Sequence, residues 1–501
     1  MRKTGLLLLT MVLTAGLFLG CLSGNAGASS QSTLTYALSG DIDNFDPYTN
    51  QSLTFIKSIG YNCYESLLHI GADMEYVFDL AESVEHPDDM TYIFKLRSGV
   101  KFHDGSDMTA EDVKFSFERT QDKDLGAWQG VFFTCVDSID IVDANTVQFN
   151  LGTFSNTFLD NCVMVKIIKQ GTENGLKQAP IGTGPFKFVK WSPNDNISLE
   201  KFADYWDAHN VKLEKLIFKP IPDKSIQLAN LSSGAVNLVE DLPLAEIDRI
   251  NSDPGLQLLQ PKTSTATVLF EVGRHNFAPF ADPRVMEVMA MAFDKETINK
   301  SVYKGLANVI WSQYPSGFKF YKDIKGPGFD LEAAKAKLAE TPYADGFEFT
   351  VWLLAGYTEW ENLSVIYQAD LAKIGIKMNI RIGELSEWLD HYLNRTYEMI
   401  CNGGPMAGTD PAVYDGIILS QLYPYQMADL TELQDLLNSA RMEADQEKRA
   451  EMYGQIQDLV YEYKPVMSIV ETPVLCGASA NLKGVVVNPV AHTFLKEAYF
   501  E

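Results

Sequence analysis

The sequence predicts a mixed α/β protein of more than one lobe, on three observations. Residues Phe347 to Ile382 read as strand, helix, strand; residues Tyr92 to Arg119 read as strand, turn, helix; and 501 residues exceed what one core of ordinary size holds. Two or three domains are therefore expected. In the first segment Phe347, Phe349, Val351 and Leu353 alternate as on a strand, and Leu363, Ile366, Tyr367, Leu371 and Ile374 fall at helical spacings. Gly375 ends that helix, and Ile376, Met378, Ile380 and Ile382 alternate again. A connection of this length between two strands is a βαβ crossover, which implies parallel strands and a right-handed turn.

The other elements follow in chain order. Arg2 and Lys3 precede an apolar run from Leu6 to Leu19, and Phe18-Leu19-Gly20-Cys21 places a small residue just before a cysteine. The apolar run is too short to be preferred as a spanning helix. It resembles a bacterial lipoprotein signal with Phe18 where leucine is commonest, which implies a signal peptide over 1–20 and Cys21 as the lipidated first residue. Residues 21–32 are Ser/Gly/Ala-rich, a flexible leash with a reach of about 20 Å. Leu34 to Leu38 reads as a strand entering the turn-rich loop GDIDNFDPYTNQS. Tyr92, Phe94 and Leu96 share one strand face, Asp104-Gly105 makes a turn, and Thr109 caps a helix whose Asp112 reaches back to the Thr109 amide. Val113 and Phe117 then lie on one helix face.

Further on, PIGTGPFKFVKW (Pro180 to Trp191) lacks the third glycine of a dinucleotide fingerprint and leads into a strand, so it is not a nucleotide loop. Asp223 to Asp241 pairs an amphipathic helix with a Ser-Gly stop and a short apolar strand. Val285, Val288, Met289 and Ala292 recur at helical spacing and read as core, with Gly305 ending the run. A last long helix is expected from Gln446 to Glu462, with Met452, Ile456, Leu459 and Val460 on one face.

The segment KFHDGSDMTAEDVKFSFER, Lys101 to Arg119, closely resembles the signature of the extracytoplasmic solute-binding proteins, family 5, that serve peptide- and nickel-type ABC importers. The text from Tyr61 to Val100 resembles the same family, as do the segments around Asp223 and Pro283. The resemblance implies a two-lobed periplasmic-binding-protein fold, type II in its large three-domain form, with two hinge crossings near Thr265 to Phe270 and Met467 to Glu471. It implies lobe I over 33–48 and 176–266, an inserted subdomain over 49–175, lobe II over 267–470, and a return to lobe I over 471–501. The implied function is capture of a small solute, an oligopeptide above all, between closing lobes for delivery to an ABC permease. The protein would then be an extracytoplasmic monomer, held at the cell membrane through lipidated Cys21 alone. Only a transport assay or a neighbouring permease locus would separate an importer component from a solute sensor built on the same fold.

Composition and motifs bound the alternatives. Lys and Arg number 41 against 66 Asp and Glu, a formal net charge of −25, which argues against nucleic acid or an anionic membrane surface as partner. Besides Cys21 the cysteines are Cys63, Cys135, Cys162, Cys401 and Cys476, an odd number without CxxC spacing. They read as buried hydrophobes or one long-range bridge rather than a zinc site or disulfide framework. The chain has no HExxH, GxSxG or phosphate loop, and no two of its seven histidines stand at i and i+4. No catalytic residue, metal or cofactor is expected, and a secreted hydrolase is the competing class.

Ligand contacts rest on the resemblance. Peptide-binding members clamp the ligand's α-ammonium with an aspartate in a loop resembling GWxxDxxDP; here the loop reads GGPMAGTDP, Gly403 to Pro411. Asp410-Pro411 matches, but Gly404 replaces the tryptophan and Ala407 the clamping aspartate. Some dipeptide binders also hold the ligand carboxylate with an arginine before the Leu363 helix, where this chain has LLAGYTEWEN. Both charges of a free dipeptide would lack partners, and an unpaired buried charge is costly. A standard dipeptide is disfavoured against a longer peptide or a non-peptide solute such as an oligosaccharide, an opine or a metal chelate. Tyr357, Trp360, Trp388 and Tyr414, with Tyr392, are candidates for an aromatic cleft, each with ordinary packing as its alternative role. Asn50, Gln51, Ser52 and Asp410 are the polar candidates.

Overall fold

The apolar alternations of the sequence are taken up by two central sheets and a smaller inserted one. In the computed structural model, residues 32–50, 52–404, 408–415, 419, 429–490 and 492–501 are described; Cys21, Gln51 and Ala407 lie outside them. The first sheet is built on Thr33–Leu38, which pairs in parallel with Lys215–Pro220 and with Leu238–Val239. Asn196–Lys201 and Phe186–Ser192 extend one side, Cys476–Ser479 and Leu256–Leu259 the other, all antiparallel, giving seven strands. Helix Lys224–Ser232 covers it, started by Asp223, whose carboxylate accepts from the Ile226 amide, and docked by Leu228 and Leu231.

The second sheet has six strands in the order Asn308–Val309, Val466–Glu471, Thr267–Val272, Met399–Gly404, Glu348–Leu354 and Lys377–Gly383. Its last two strands are the βαβ unit, parallel from Glu348↔Lys377 to Leu354↔Gly383, with helix Thr358–Lys373 between them. Phe349, Val351, Leu353, Leu363, Tyr367 and Leu371 are buried in its core. Gly346 and Gly375 both hold positive φ, and a Cβ on Gly346 would stand 2.0 Å from the Gly375 carbonyl oxygen, so this corner needs glycine. Ile382, expected on the buried face, is 49% exposed, near the end of Lys377–Gly383, which is the edge strand of the sheet. Helix Gln446–Tyr463 buries Tyr453, Ile456 and Val460 against helix Thr431–Met442.

The inserted sheet is antiparallel: Ala81–Asp88, Thr91–Leu96, Thr146–Leu151 and Val136–Asp143. Helix Ala110–Thr120 packs on it through Val113 and Phe117, the latter edge-on to Phe149 at 4.7 Å. The Asp112 carboxylate accepts from the Thr109 amide at 2.9 Å and from the Gln170 amide at 2.9 Å, so one side chain both starts the helix and ties it to the next segment. The GTGPF run serves packing: a Cβ on Gly182 would meet the Cys63 carbonyl oxygen at 2.0 Å, and one on Gly184 would meet Cys63 backbone at 2.7 Å. His103 fixes this corner, its Nδ1 accepting from the Gly182 amide at 3.4 Å and its Nε2 bonded to the Gly184 carbonyl at 3.0 Å. Cys63, Cys162, Cys401 and Cys476 are buried free thiols, and Cys135 is a half-buried one.

The chain passes between the two large sheets twice. Thr267–Val272 and Val466–Glu471, where the crossings were expected, belong to the six-stranded sheet and pair antiparallel there. The connections themselves run through residues 260–266 and 472–475, which carry no ladder and are joined by a 2.9 Å bond from the Thr472 amide to the Ala266 carbonyl. Extended backbone outside a ladder bends at low cost, which suits a hinge better than a paired strand does.

Candidate functional site

The two connections form the floor of a cleft of about 500 Å³, a size typical of small-solute sites. One wall comes from the seven-stranded side, residues 241–244 and 473–475; the other comes from Tyr303, Tyr357, Glu359, Trp360, Gly403 and Gly404. The second wall is placed by the βαβ unit and its neighbour. Tyr357 and Trp360 sit at the start of helix Thr358–Lys373, and the two glycines end strand Met399–Gly404. Gly403 pairs with Val268, and a Cβ there would lie 2.3 Å from the Thr267 carbonyl oxygen, so only glycine lets these strands close up at the cleft floor.

An aromatic ledge runs along this wall. Tyr357 stacks on Trp360 with ring centroids 4.2 Å apart and an angle of 22°, and Tyr357 is 45% exposed. The charged lining groups are Asp241 and Glu359, with no lysine, arginine or histidine among the described lining residues. On the first wall Lys57 lies just behind, donating to both Asp241 oxygens at 3.2 Å and standing 2.9 Å from Glu240. Burial alone would lower the pKa of Lys57; the carboxylates of Glu240 and Asp241 outweigh it and hold the pKa above its ordinary value.

The sequence-predicted contacts divide. Tyr357 and Trp360 line the cleft. Trp388 instead stacks on Tyr392 at 5.0 Å in a satellite core with Tyr397 and Ile400, behind the sheet. Tyr414 is fully buried, edge-on to Tyr314 at 5.4 Å. Asp410 is held by the buried Arg449 guanidinium, with Nη2 donating to Oδ1 at 2.7 Å, and it caps the short helix Pro411–Tyr414 through the Ala412 amide. Asn50 is spent on its own loop, donating to the Asn44 carbonyl at 2.7 Å and accepting from the Ser52 amide at 3.0 Å. Ser52 accepts from the Phe55 amide at 3.2 Å. Their local partners explain why these residues stand away from the cavity. Tyr303 and Glu359 went unrecognised in the sequence. Glu359 lies in LLAGYTEWEN beside the aromatics and was legible there; Tyr303 follows a helix read as core and carried no signal.

A second set of contacts bridges the inserted subdomain and the far lobe. The Asp160 carboxylate accepts from the amide and hydroxyl of Thr409, both at 3.1 Å. The Asn156 side-chain amide donates to the carbonyls of Arg441 at 2.9 Å and Glu443 at 3.0 Å. Lys319 reaches the Tyr76 hydroxyl at 3.3 Å. Burial raises the pKa of the Asp160 carboxyl even though Lys319 opposes it.

Known proteins resemble this chain along most of its length. The chain is 29% identical to heme-binding protein A of Haemophilus influenzae over 93% of this chain and 92% of that one. It is 27% identical to the dipeptide-binding protein of Escherichia coli, over 98% and 97%. The periplasmic binding protein DppA of Helicobacter pylori, solved in complex with the peptide STSA, superposes with a TM-score of 0.70 at 25% identity, covering 94% of this chain and 98% of that one. The family model for bacterial extracellular solute-binding proteins, family 5, matches residues 75–420, well over half of the sequence. With a cleft floored by two crossings and walled by two lobes, and with relatives that are binding proteins along their whole length, the chain belongs to the family 5 extracellular solute-binding proteins.

Proposed function

We propose that the protein captures an oligopeptide in this cleft and hands it to the permease of an ABC importer, standing outside the membrane on a lipid anchor at Cys21. The observation that carries the reading is the composition of the wall: backbone of Gly403 and Gly404 beside a Tyr357–Trp360 ledge, with no basic side chain among the described lining residues to seize a terminal carboxylate. Asp410, the remaining acid of the clamp loop, is committed to Arg449. Recognition through main-chain hydrogen bonds and stacking suits a peptide whose ends lie beyond the cleft better than it suits a free dipeptide. The peptide-bound DppA and the dipeptide-binding relative support a peptide, and heme-binding protein A makes a non-peptide solute the second reading.

Solute released by denaturing the purified protein and read by mass spectrometry tests this, followed by calorimetry of stripped protein with end-blocked peptides of two to six residues. Longer peptides are expected to bind and dipeptides to bind weakly. A released solute without peptide bonds, together with no binding of any peptide, refutes it. No helix of the described residues is long and apolar enough to cross a membrane. The anchor is tested by Cys21→Ala, which should move the protein from the membrane fraction to the soluble extracytoplasmic one; retention at the membrane would refute it.

A further inference from the structure

Resting on the cleft reading above, we propose that the cleft seats a cationic group of its solute, an alkylammonium or guanidinium, between the Glu359 carboxylate, the Tyr303 hydroxyl and the Tyr357–Trp360 faces. These residues share one wall of the same cavity. No lysine, arginine or histidine among the described residues forms an ion pair with Glu359. The undescribed internal residues 51, 405–407, 416–418, 420–428 and 491 contain no basic residue by sequence.

Tyr303 is an independent pointer. It is 1% exposed, lines the cavity, and its hydroxyl has no hydrogen-bond partner among the described residues. A buried hydroxyl is ordinarily satisfied, so an orphaned one at a cavity wall invites a ligand group. Burial, then Cys401, then Glu359 hold the phenol above its ordinary pKa, so it remains a neutral donor and acceptor close enough to feel the Glu359 charge. A cation N–H donating to the phenol oxygen and to Glu359 satisfies both at once.

The flanking aromatics complete the seat. Tyr357, stacked on the buried Trp360 and itself 45% exposed, offers a ring face that attracts a cation, and an anion there would meet like charge from Glu359. On the opposite wall, Glu240 and Asp241 face two ammonium groups, Lys57 and Lys224, so that side is close to neutral and the charge of Glu359 is left unbalanced among the described residues.

The test uses stripped full-length protein and isothermal calorimetry with end-blocked pentapeptides carrying lysine, norleucine or glutamate at each position in turn. A charge-assisted bond predicts that, in the best register, the lysine peptide binds about tenfold tighter than its norleucine counterpart, with the glutamate peptide weakest. Glu359→Gln should bring the lysine-to-norleucine ratio close to one, and Tyr303→Phe should reduce it in part. A parallel titration compares agmatine with glutarate. Agmatine binding that depends on Glu359, with no peptide bound, would refute the oligopeptide reading and keep the cation seat. No Glu359-dependent preference for the cation in either probe set overturns the seat, as does a glutamate peptide or glutarate binding tightest. Matching urea midpoints for the variants and the parent protein show that the differences belong to binding.

Discussion

Asp410→Asn should destabilise the protein while leaving its solute preference intact, the reverse of what a ligand clamp would do. Asp410 and Arg449 side chains are each 1% exposed, and the guanidinium grips both carboxylate oxygens. Removing the negative charge leaves Arg449 buried against a neutral amide, and breaking such a pair costs about 3–5 kcal/mol. Two features hold the loss to the lower end. Arg449 keeps its 2.9 Å bond to the Ala440 carbonyl and lies 5.1 Å over the Tyr453 ring, and asparagine caps the Pro411–Tyr414 helix about as well as aspartate does. The expected loss is therefore about 3 kcal/mol, read from urea unfolding followed by fluorescence. Arg449→Met alone should cost a similar amount, and the double variant less than the sum, since no unpaired charge then remains. An Asp410→Asn protein as stable as the parent but unable to bind solute would refute this and return Asp410 to the cleft.

Three further outcomes are expected. His103 is pushed down to about 4, chiefly by burial, and His492 to about 3. Both stay neutral in the folded state, so the stability they carry is complete above about pH 6.5 and is lost as pH falls toward 4. In His103→Gln the stability lost between those pH values should shrink by roughly 3 kcal/mol, and an unchanged loss would sink the assignment. If the bridge between subdomain and far lobe belongs to the closed form, Asn156→Ala with Asp160→Ala should enlarge the solute-free particle in X-ray scattering and weaken binding, because a smaller closed fraction raises the apparent Kd. Equal radii and equal affinities would count against it. Tyr357→Ala removes a half-exposed ring and should cost binding on the order of 1–3 kcal/mol with little effect on folding; an affinity within twofold of the parent would place the solute elsewhere.

Local periodicity carried much of the fold. The βαβ unit, the Thr109–Asp112 helix start and the final helix were all legible, because each is set by spacing and capping within some thirty residues. Contacts fixed by distant chain were not. The partner of Asp410 stands 39 residues away, that of Asp160 stands 249 away, and neither pairing leaves a mark in local sequence. The aromatics show the same limit. Tyr357 and Trp360 occupy a helix start at the cleft and Trp388 an interior helix face, yet all three look alike in composition. The crossings were displaced by a few residues because β-type sequence at 267–272 and 466–471 goes to sheet pairing, leaving the bending to the unpaired runs outside it.

Closure and selectivity are linked by where the walls come from. On the proposed reading, a solute gains from residues 241–244 and 473–475 together with Tyr303, Tyr357 and Glu359 only when both walls reach it, so its affinity differs between open and closed forms. Moving such an equilibrium from 1:99 to 99:1 takes about 5.5 kcal/mol of differential binding. The bonds from Asp160 to Thr409 and from Asn156 to the 441 and 443 carbonyls join the lobes without touching solute, so they weigh on this equilibrium in favour of whichever form keeps them. On the proposed reading, a stacked ledge, strand-end backbone and one carboxylate would share the task of closing the lobes, tolerating variation in the rest of the solute while rejecting one that brings negative charge to Glu359.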